Sequence, residues 1–235
     1  MNIEPIAKIY TDFPTKFGIP RQPGLVEELE GKIVFEKEYA DPEAVRGLEG
    51  FSHIWLIWQF SKNLREGSAW SPTVRPPRLG GNRRVGVFAS RSPFRPNNLG
   101  LSCVKLLRIC DEPGSGRVIY VSGADMVSGT PIYDIKPYLP YSDCVEAAAE
   151  GFAPLPEERL QVVFENGGGD FPAEKLETLE KVLSLDPRPR YQRDGREYVM
   201  PFGGFDICFR VEKGILKVEQ IRKTEKEINC GKEEP

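Results

Sequence analysis

Short apolar runs separated by turn residues fill the first 145 residues of the chain. Each run is rich in Val, Ile, Leu and aromatic residues and is bounded by Gly, Pro or Asn, which is the pattern of β-strands and turns. The predicted strands cover residues 6–10, 32–38, 53–60, 84–90, 99–109 and 117–122. Only residues 41–51 (DPEAVRGLEGF) predict a helix, with Asp41 as N-cap and Pro42 at the first helical position. Strands of this number with irregular loops favour a closed or partly closed barrel, because closure removes exposed strand edges.

The pattern changes after Gly151. Residues 172–185 place a stripe of apolar side chains at helical spacing, namely Leu176, Leu179, Val182 and Leu183. Residues 197–223 predict two or three further strands. The glycine-rich segment 162–170 (VVFENGGGD) is similar to the turn of a Rossmann unit, but its spacing is not GxGxxG and too little chain follows for a doubly wound sheet. We interpret it as a flexible turn.

These patterns predict a mainly β protein with two domains. A β-barrel is expected over residues 1–147 and a small α+β domain over residues 151–225, followed by a flexible tail at residues 226–235. At 235 residues the chain is long enough to bury a substantial core.

Composition excludes several classes of protein. No apolar run reaches the length of a membrane span, and the first residues lack the pattern of an export signal, so we expect a cytoplasmic protein without membrane contact. The five cysteines form no CxxC pair and are odd in number, which argues against a disulfide framework and a zinc site. The single histidine, His53, lies in an apolar run and is expected to be packed and hydrogen-bonded, so no mechanism can use two histidines.

Positive charge is concentrated in one window. The net charge is −3, yet no acidic residue lies between Glu66 and Asp111. The same window carries eight cations, namely Arg75, Arg78, Arg83, Arg84, Arg91, Arg95, Lys105 and Arg108. Nearly all are arginines, whose planar guanidinium suits phosphate and stacks on bases, so a polyanion or nucleotide ligand is favoured over a merely solvated surface.

Four polar loops bracketed by Pro or Gly are candidates for a binding site: residues 18–24, 73–88, 91–102 and 128–141. Proline and glycine together hold a loop in one shape and let its backbone approach a ligand. The chain has no P-loop, no metal-ligand cluster and no nucleophile elbow. Positioning of an already activated cofactor, as in group transfer, therefore fits better than hydrolysis.

Several motifs together resemble the TsaA/YaeB-like family, which includes the TrmO-type tRNA methyltransferases. They are RQPGLV (21–26), AVRGLEGFSHIW (44–55), TVRPPRLGGNRRVGVFASRSPFRPNNLGLS (73–102), SGTPIYDIKPYLPY (128–141) and DPRPRY (186–191). The resemblance covers about residues 3–218. It implies a non-Rossmann β-barrel methyltransferase that works as a homodimer. Its reaction would add a methyl group from S-adenosylmethionine (SAM) to the exocyclic nitrogen of threonylcarbamoyl adenosine at position 37 of tRNA.

Matched positions imply the residues that line the SAM pocket. These are Arg21, Gln22, Pro23, Lys62, Asn63, Arg91, Leu101, Gly129, Thr130, Pro131 and Ile132. The segment Asp186, Pro187, Arg188 and Pro189 is a family motif that we place beside the active site or the tRNA. Two positions depart from many relatives: Ser61 lies near a family histidine, and Ser128 replaces the aspartate of a DGTP motif, so the hydrogen bonding there must differ.

The acceptor nitrogen is urea-like and a poor nucleophile, so a base that removes its proton would help. Our hypothesis for that base is Asp134, with Asp125 and Asp186 as alternatives. Each carboxylate is equally well explained as the partner of a neighbouring Lys or Arg. A loop base is expected to stack on Phe94, Tyr138 or Tyr141.

Contacts with the phosphates of the anticodon stem-loop are assigned to arginines. They are Arg75, Arg78, Arg83, Arg84, Arg95 and Arg188. Two alternatives stay open: a SAM- or nucleotide-binding RNA module without turnover, and a methyltransferase that acts on another RNA position or a small nucleotide.

Overall fold

The computed structural model describes residues 2–63, 70–76, 79, 82–153, 159–188 and 195–224. Strands dominate it, so the predicted mainly β class is confirmed. The strands are β1 (Ala7–Tyr10), β2 (Glu30–Phe35), β3 (His53–Gln59), β4 (Thr73–Val74), β5 (Val85–Gly86), β6 (Leu99–Glu112), β7 (Gly116–Ser122), β8 (Thr130–Pro137), β9 (Gln161–Phe164), β10 (Glu197–Phe202), β11 (Phe205–Glu212) and β12 (Ile215–Lys223). The α-helices are α1 (Pro140–Asp143) and α2 (Ala173–Ser184).

Six strands close on themselves in the order β1-β2-β7-β6-β3-β8. All neighbours in this barrel are antiparallel. Strand β3 shows why the sequence folds this way: Ile54, Leu56 and Trp58 alternate inward at 0–5% exposure, while the residues between them face outward. Their inward side chains pack with those of the other five strands in one apolar core.

The predicted loop 128–141 is wrong, because it contains β8, which pairs with both β1 and β3. Its prolines gave the appearance of a loop. Pro131 and Pro137 lie near the two ends of the strand, where a missing N–H is tolerated.

Two other segments differ from their predicted form. Residues 84–90 form only the short strand β5 followed by a 3-10 helix at Val87–Ala89. The helix expected after Asp41 is a 3-10 turn at Pro42–Val45, and Asp41 caps it by accepting from the Glu43 N–H at 2.9 Å.

A second sheet has the order β10-β11-β12-β9, with β9 parallel to β12. Helix α2 begins after Pro172. In the predicted apolar stripe, Leu179, Val182 and Leu183 are 0–1% exposed, and Leu176 is half-buried. The glycine-rich segment before α2 is a turn, as expected, with positive φ at Gly167, Gly168 and Gly169. In the part of the chain that the structure describes, no helix is long and apolar enough to cross a membrane.

The loop between β1 and β2 joins the barrel to the second sheet. Phe13, Val26 and Leu29 belong to the same buried cluster as α2 and strands β10–β12. Polar contacts follow the same seam: Lys175 pairs with Asp12 at 2.6 Å. This packing fixes the 13–29 loop, which carries several of the predicted cofactor residues. The predicted tail at residues 226–235 lies outside the described residues.

Candidate active site

A cleft of about 2540 Å³ lies where the 16–25 loop, the end of β3, the 84–101 loop and the 125–130 turn meet. Small-molecule sites in proteins usually measure about 300–1,000 Å³. The cleft therefore has room for a small cofactor together with part of a much larger substrate.

A chain of two hydrogen bonds forms part of the cleft wall. The Trp58 indole Nε1–H donates to Ser102 Oγ at 3.0 Å, and the Ser102 hydroxyl donates to Asp125 Oδ1 at 2.7 Å. Ser102 is only 1% exposed. Burial raises the pKa of Asp125 to about 6, although the hydrogen bond from Ser102 and the charge of Arg91 oppose this change. Asp125 is thus a carboxyl group that can exchange a proton near neutral pH.

Gly100 makes room for this arrangement. It lies opposite Trp58 across the β3–β6 pair, and a Cβ there would come within 2.3 Å of the Trp58 ring. No side chain fits at this distance, so glycine is required for the indole to lie across the strand and reach Ser102.

An arginine–glutamine pair lies on another wall of the cleft. Arg91 Nη1 donates to Gln22 Oε1, and Gln22 Nε2 in turn donates to the Arg21 carbonyl. The side chains come from loops distant in sequence, which the 13–29 packing described above brings together. Arg91 also lowers the pKa of Asp125, so the guanidinium acts on the carboxyl group. The cleft thus joins a cation that suits a carboxylate ligand to a candidate base.

The segment 91–98 is held in shape by its own side chains. Arg95 Nη1 donates to the Ser90 carbonyl at 3.0 Å, and Asn98 Nδ2 donates to the Pro93 carbonyl at 2.6 Å. Asn98 has φ +47°, a left-handed conformation that asparagine tolerates better than most residues. Asn98 is therefore a turn residue, and Arg95 supports the loop with part of its guanidinium.

Side-chain hydrogen bonds also hold the turn before β8 in place. Thr130 Oγ1 donates to the Val127 carbonyl at 2.7 Å, and Ser128 Oγ accepts from the Thr11 N–H at 3.3 Å. Thr130 lines the cleft, whereas Gly129, Pro131 and Ile132 do not. Ile132 is fully buried in the barrel core.

Asp134, our hypothesis for the base, and Asp186, one of its two alternatives, do not line the cleft, whereas the other alternative, Asp125, does. Asp134 pairs with Lys136 at 3.1 Å and also accepts from the Ile135 N–H at 2.9 Å. Asp186 binds Arg188 through Nε at 2.8 Å and Nη2 at 2.9 Å. The Arg188 side chain is 13% exposed, so its predicted contact with phosphate has little surface available.

The remaining predicted residues divide between the cleft and its surroundings. Arg21, Gln22, Lys62, Arg91 and Leu101 line the cleft, and so do Arg75, Arg84 and Arg95. Pro23 and Arg83 are described but do not line it. Arg78, Pro189 and the side chain of Asn63 lie outside what the structure describes.

Among the predicted aromatic residues, Phe94 lines the cleft, but Tyr138 and Tyr141 do not. His53 also lies elsewhere, with Nδ1 2.9 Å from Ser52 Oγ and its ring against Tyr138. The four described cysteines are free. The described residues contain no group of three or more His, Cys, Asp or Glu that could hold a metal.

Sequence reasoning missed Trp58 and Ser102. The available signal was strand alternation: Gly100, Ser102 and Val104 face inward on β6, so a serine occurs at a position where an apolar residue is expected. A polar group at such a position needs a partner, and here the partners are Trp58 and Asp125.

Two family models match the chain: the tRNA-methyltransferase O N-terminal domain over residues 8–144 and the TrmO C-terminal domain over residues 158–224. The chain is 40% identical over 226 residues to the tRNA (adenine(37)-N6)-methyltransferase of Escherichia coli strain K12, covering 88% of this chain and 92% of that protein. It is 46% identical over 178 residues to the Eikenella corrodens protein of the same name, covering 74% and 99%. A crystal structure of TrmO from Pseudomonas aeruginosa aligns with a TM-score of 0.75 at 30% identity, over 94% of this chain and 97% of that one.

Proposed function

The chain belongs to the TrmO family of tRNA methyltransferases, and from this premise we propose that it methylates N6 of the adenosine at position 37 of tRNA with SAM as donor. The acceptor that we propose is the threonylcarbamoylated form of this adenosine, and we place the activity in the cytoplasm. The observation that carries the proposal is the cleft in which Arg91 and the Ser102–Asp125 pair come together.

The residues of the cleft fit SAM chemically. SAM contains a carboxylate, an adenine and a sulfonium, and when bound it supplies a methyl group on a good leaving group. Arg91 is exposed and suits the carboxylate, with Gln22 orienting its guanidinium. Leu101 is 55% exposed on the cleft wall and offers apolar surface beside that cation. Arg21, Lys62 and Thr130 complete the proposed binding set.

We propose Asp125 as the general base, in place of Asp134 and Asp186. Its carboxylate accepts the N6 proton of the adenine while the Ser102 hydroxyl holds Oδ1. With a pKa of about 6, Asp125 is mostly ionised at neutral pH and still basic enough to take up a proton. Trp58 orients Ser102 and has no direct part in the proton transfer.

Contact with the tRNA phosphates is proposed for Arg75 and Arg84, which are exposed and line the cleft. Arg84 is oriented by a hydrogen bond from Nη1 to Thr73 Oγ1 at 3.0 Å, which leaves other guanidinium N–H groups for a phosphate. Arg83 is exposed on the same segment and is proposed as a weaker, peripheral contact.

We also propose that two copies associate. Trp55 and Ile57 on β3 and Leu101 on β6 point away from the barrel core and form an outward apolar row on the cleft wall. A second copy on part of this row would cover apolar surface that is otherwise exposed. Sedimentation of the full chain at the monomer mass alone would contradict the homodimer.

The test of the activity uses two preparations of one threonine tRNA, one with threonylcarbamoyl adenosine and one without it. Each is incubated with the full chain and labelled SAM, and its nucleosides are analysed by mass spectrometry. We expect label as methylated threonylcarbamoyl adenosine in the first preparation only. Label in methylated adenosine without the threonylcarbamoyl group would show that unmodified adenosine is the acceptor. SAM binding without label in either tRNA would favour a binding module.

A further inference from the structure

Two large aromatic side chains are exposed together at the cleft. Trp70 is 51% exposed and Phe88 is 70% exposed, and both line the cleft. Their ring centroids are 6.1 Å apart at an interplanar angle of 34°. About half of Trp70 and most of Phe88 is thus open to solvent, although aromatic side chains are stabilised by burial. An exposed aromatic pair of this kind is typical of a binding surface.

The backbone under the two rings is ordered by local contacts. The β4–β5 pair, with Thr73 opposite Gly86, joins the segment after Trp70 to the segment before Phe88. Val87 is 1% exposed, and its N–H donates to the Pro72 carbonyl at 2.9 Å. The two rings therefore lie side by side at the end of the β4–β5 ribbon, Trp70 before β4 and Phe88 after β5.

The charge around the pair favours an anionic partner. Arg84 and Arg75 are exposed on the same ribbon, and residues 67–110 contain no acidic side chain. Aromatic faces beside arginines are the arrangement that binds single-stranded nucleic acid, because bases stack while cations follow the phosphates. The density of positive charge is explained by a nucleic acid and not by an apolar protein partner.

We propose that Trp70 and Phe88 form a stacking subsite for a nucleobase directly next to the methylated adenosine, at position 36 or 38 of the tRNA. The proposal rests on the proposed function, because that function identifies the loop that enters the cleft. The rings are too close and too tilted for a base to intercalate between them, so the base lies on the open face of the pair. Holding the neighbouring base helps to keep the target adenosine unstacked and inside the cleft.

The experiment measures binding of synthetic anticodon stem-loop RNAs that carry threonylcarbamoyl adenosine at position 37, either intact or with an abasic residue at position 36 or 38. Each is titrated into the wild type, Trp70→Ala, Phe88→Ala and the control Tyr10→Ala. Tyr10 is 47% exposed and does not line the cleft, so the control removes an exposed aromatic ring at another place.

We expect Trp70→Ala and Phe88→Ala each to weaken binding of the intact RNA about tenfold, with Tyr10→Ala unchanged. The wild type should bind one of the two abasic RNAs about tenfold more weakly than the intact RNA. For that abasic RNA, Trp70→Ala and Phe88→Ala should weaken binding by less than about a further twofold. The affinity for SAM and the salt dependence of RNA binding should not change, because no charge is removed. Trp70→Phe should recover most of the affinity.

The proposal would be overturned if Trp70→Ala and Phe88→Ala weakened binding of the intact RNA and of both abasic RNAs by the same factor. A loss of SAM affinity would assign the rings to the adenine of the cofactor, and dissociation of a dimer by Trp70→Ala would assign them to a second copy. Methyl transfer by the wild type to the intact RNA is measured separately. If methyl transfer fails but the loss of affinity still depends on the neighbouring base, the proposed function is refuted and the subsite is supported. If methyl transfer occurs but the loss of affinity does not depend on that base, only the subsite is refuted.

Discussion

Asp125 shows how the environment of one residue can set its chemistry. Its surroundings raise the pKa of this carboxyl group to about 6. Desolvation disfavours the charged form, and the hydrogen bond from Ser102 only partly compensates. A carboxyl group in this state is suited to accept a proton near neutral pH.

The pH dependence of methyl transfer tests this assignment. Because the base must be ionised, we expect kcat/KM to fall about tenfold per pH unit below about 6 and to be constant above it. Asp125→Asn keeps an acceptor for Ser102 but cannot take up a proton, so it should lose about 100-fold or more of the rate while still binding SAM. A full rate in Asp125→Asn, or an unchanged acid limb, would contradict the role. Asp134→Asn serves as the control and should retain activity.

The same group should reduce stability at neutral pH. Since the folded pKa of Asp125 lies above the ordinary value of 3.8, the folded state binds its proton more tightly, and stability is lost as pH rises from about 4 to about 6. Asp125→Asn removes this cost, so urea unfolding at pH 7.5 should show a gain of at most about 3 kcal/mol. At pH 4 the gain should largely vanish.

At the scale of an element, the 91–98 loop is rigid because its own side chains bond its carbonyls. Asn98 combines two functions there, since it adopts a left-handed backbone conformation and donates to the Pro93 carbonyl at 2.6 Å. The loop also carries Arg91, which we assign to the carboxylate of SAM. Distortion of the turn should therefore displace Arg91 and weaken SAM binding.

Two substitutions at Asn98 separate these functions. Asn98→Gly tolerates the positive φ and loses only the hydrogen bond, whereas Asn98→Ala loses the bond and is also strained, by about 1–2 kcal/mol. We expect calorimetric titration to show weaker SAM binding in the order wild type, Gly, Ala, with the Ala variant down about tenfold or more. Equal affinities for all three proteins would show that the turn does not position Arg91.

At the scale of the whole molecule, the loop between β1 and β2 joins the barrel to the second sheet by packing into the core of that sheet. Phe13 comes from the loop after β1, is fully buried, and packs edge-on against Phe202 with centroids 5.2 Å apart. The pairing of Lys175 with Asp12 spans the same seam. Since the 13–29 loop also carries Arg21 and Gln22, the second sheet supports the cleft without contributing a strand to it.

Phe13→Ala should therefore destabilise the entire protein. Truncating a buried phenylalanine typically costs about 3–5 kcal/mol, and we expect one unfolding transition shifted by this amount, seen equally by circular dichroism and by tryptophan fluorescence. The three tryptophans belong to the first 70 residues, so fluorescence reports on the barrel side of the molecule. The control Ile3→Ala, at a side chain 51% exposed, should shift stability little. Two separate transitions would show that the units unfold independently.

The local elements were largely predictable because their causes are local. The apolar and aromatic run at residues 53–60 predicted β3, and the apolar stripe in residues 172–185 predicted α2. Both elements follow the predicted bounds closely. Strand β8 was missed because Pro131 and Pro137 resemble loop residues, and only the pairing with β1 and β3 shows that they lie near its ends.

The sequence by itself determined the mainly β class, the family to which the chain belongs, and the arginine-rich, glycine- and proline-bracketed loops, because periodicity, motif and charge are properties of neighbours along the chain. Only the tertiary structure decided which carboxylate faces the cleft. Asp125, Ser102 and Trp58 are far apart in sequence, and they form one hydrogen-bonded chain because barrel closure and Gly100 bring them together. Asp134 and Asp186 carry the same chemical group, but each is paired with a nearby cation away from the cleft. Burial and pairing depend on contacts between distant segments, and these contacts decide the chemistry of a carboxyl group.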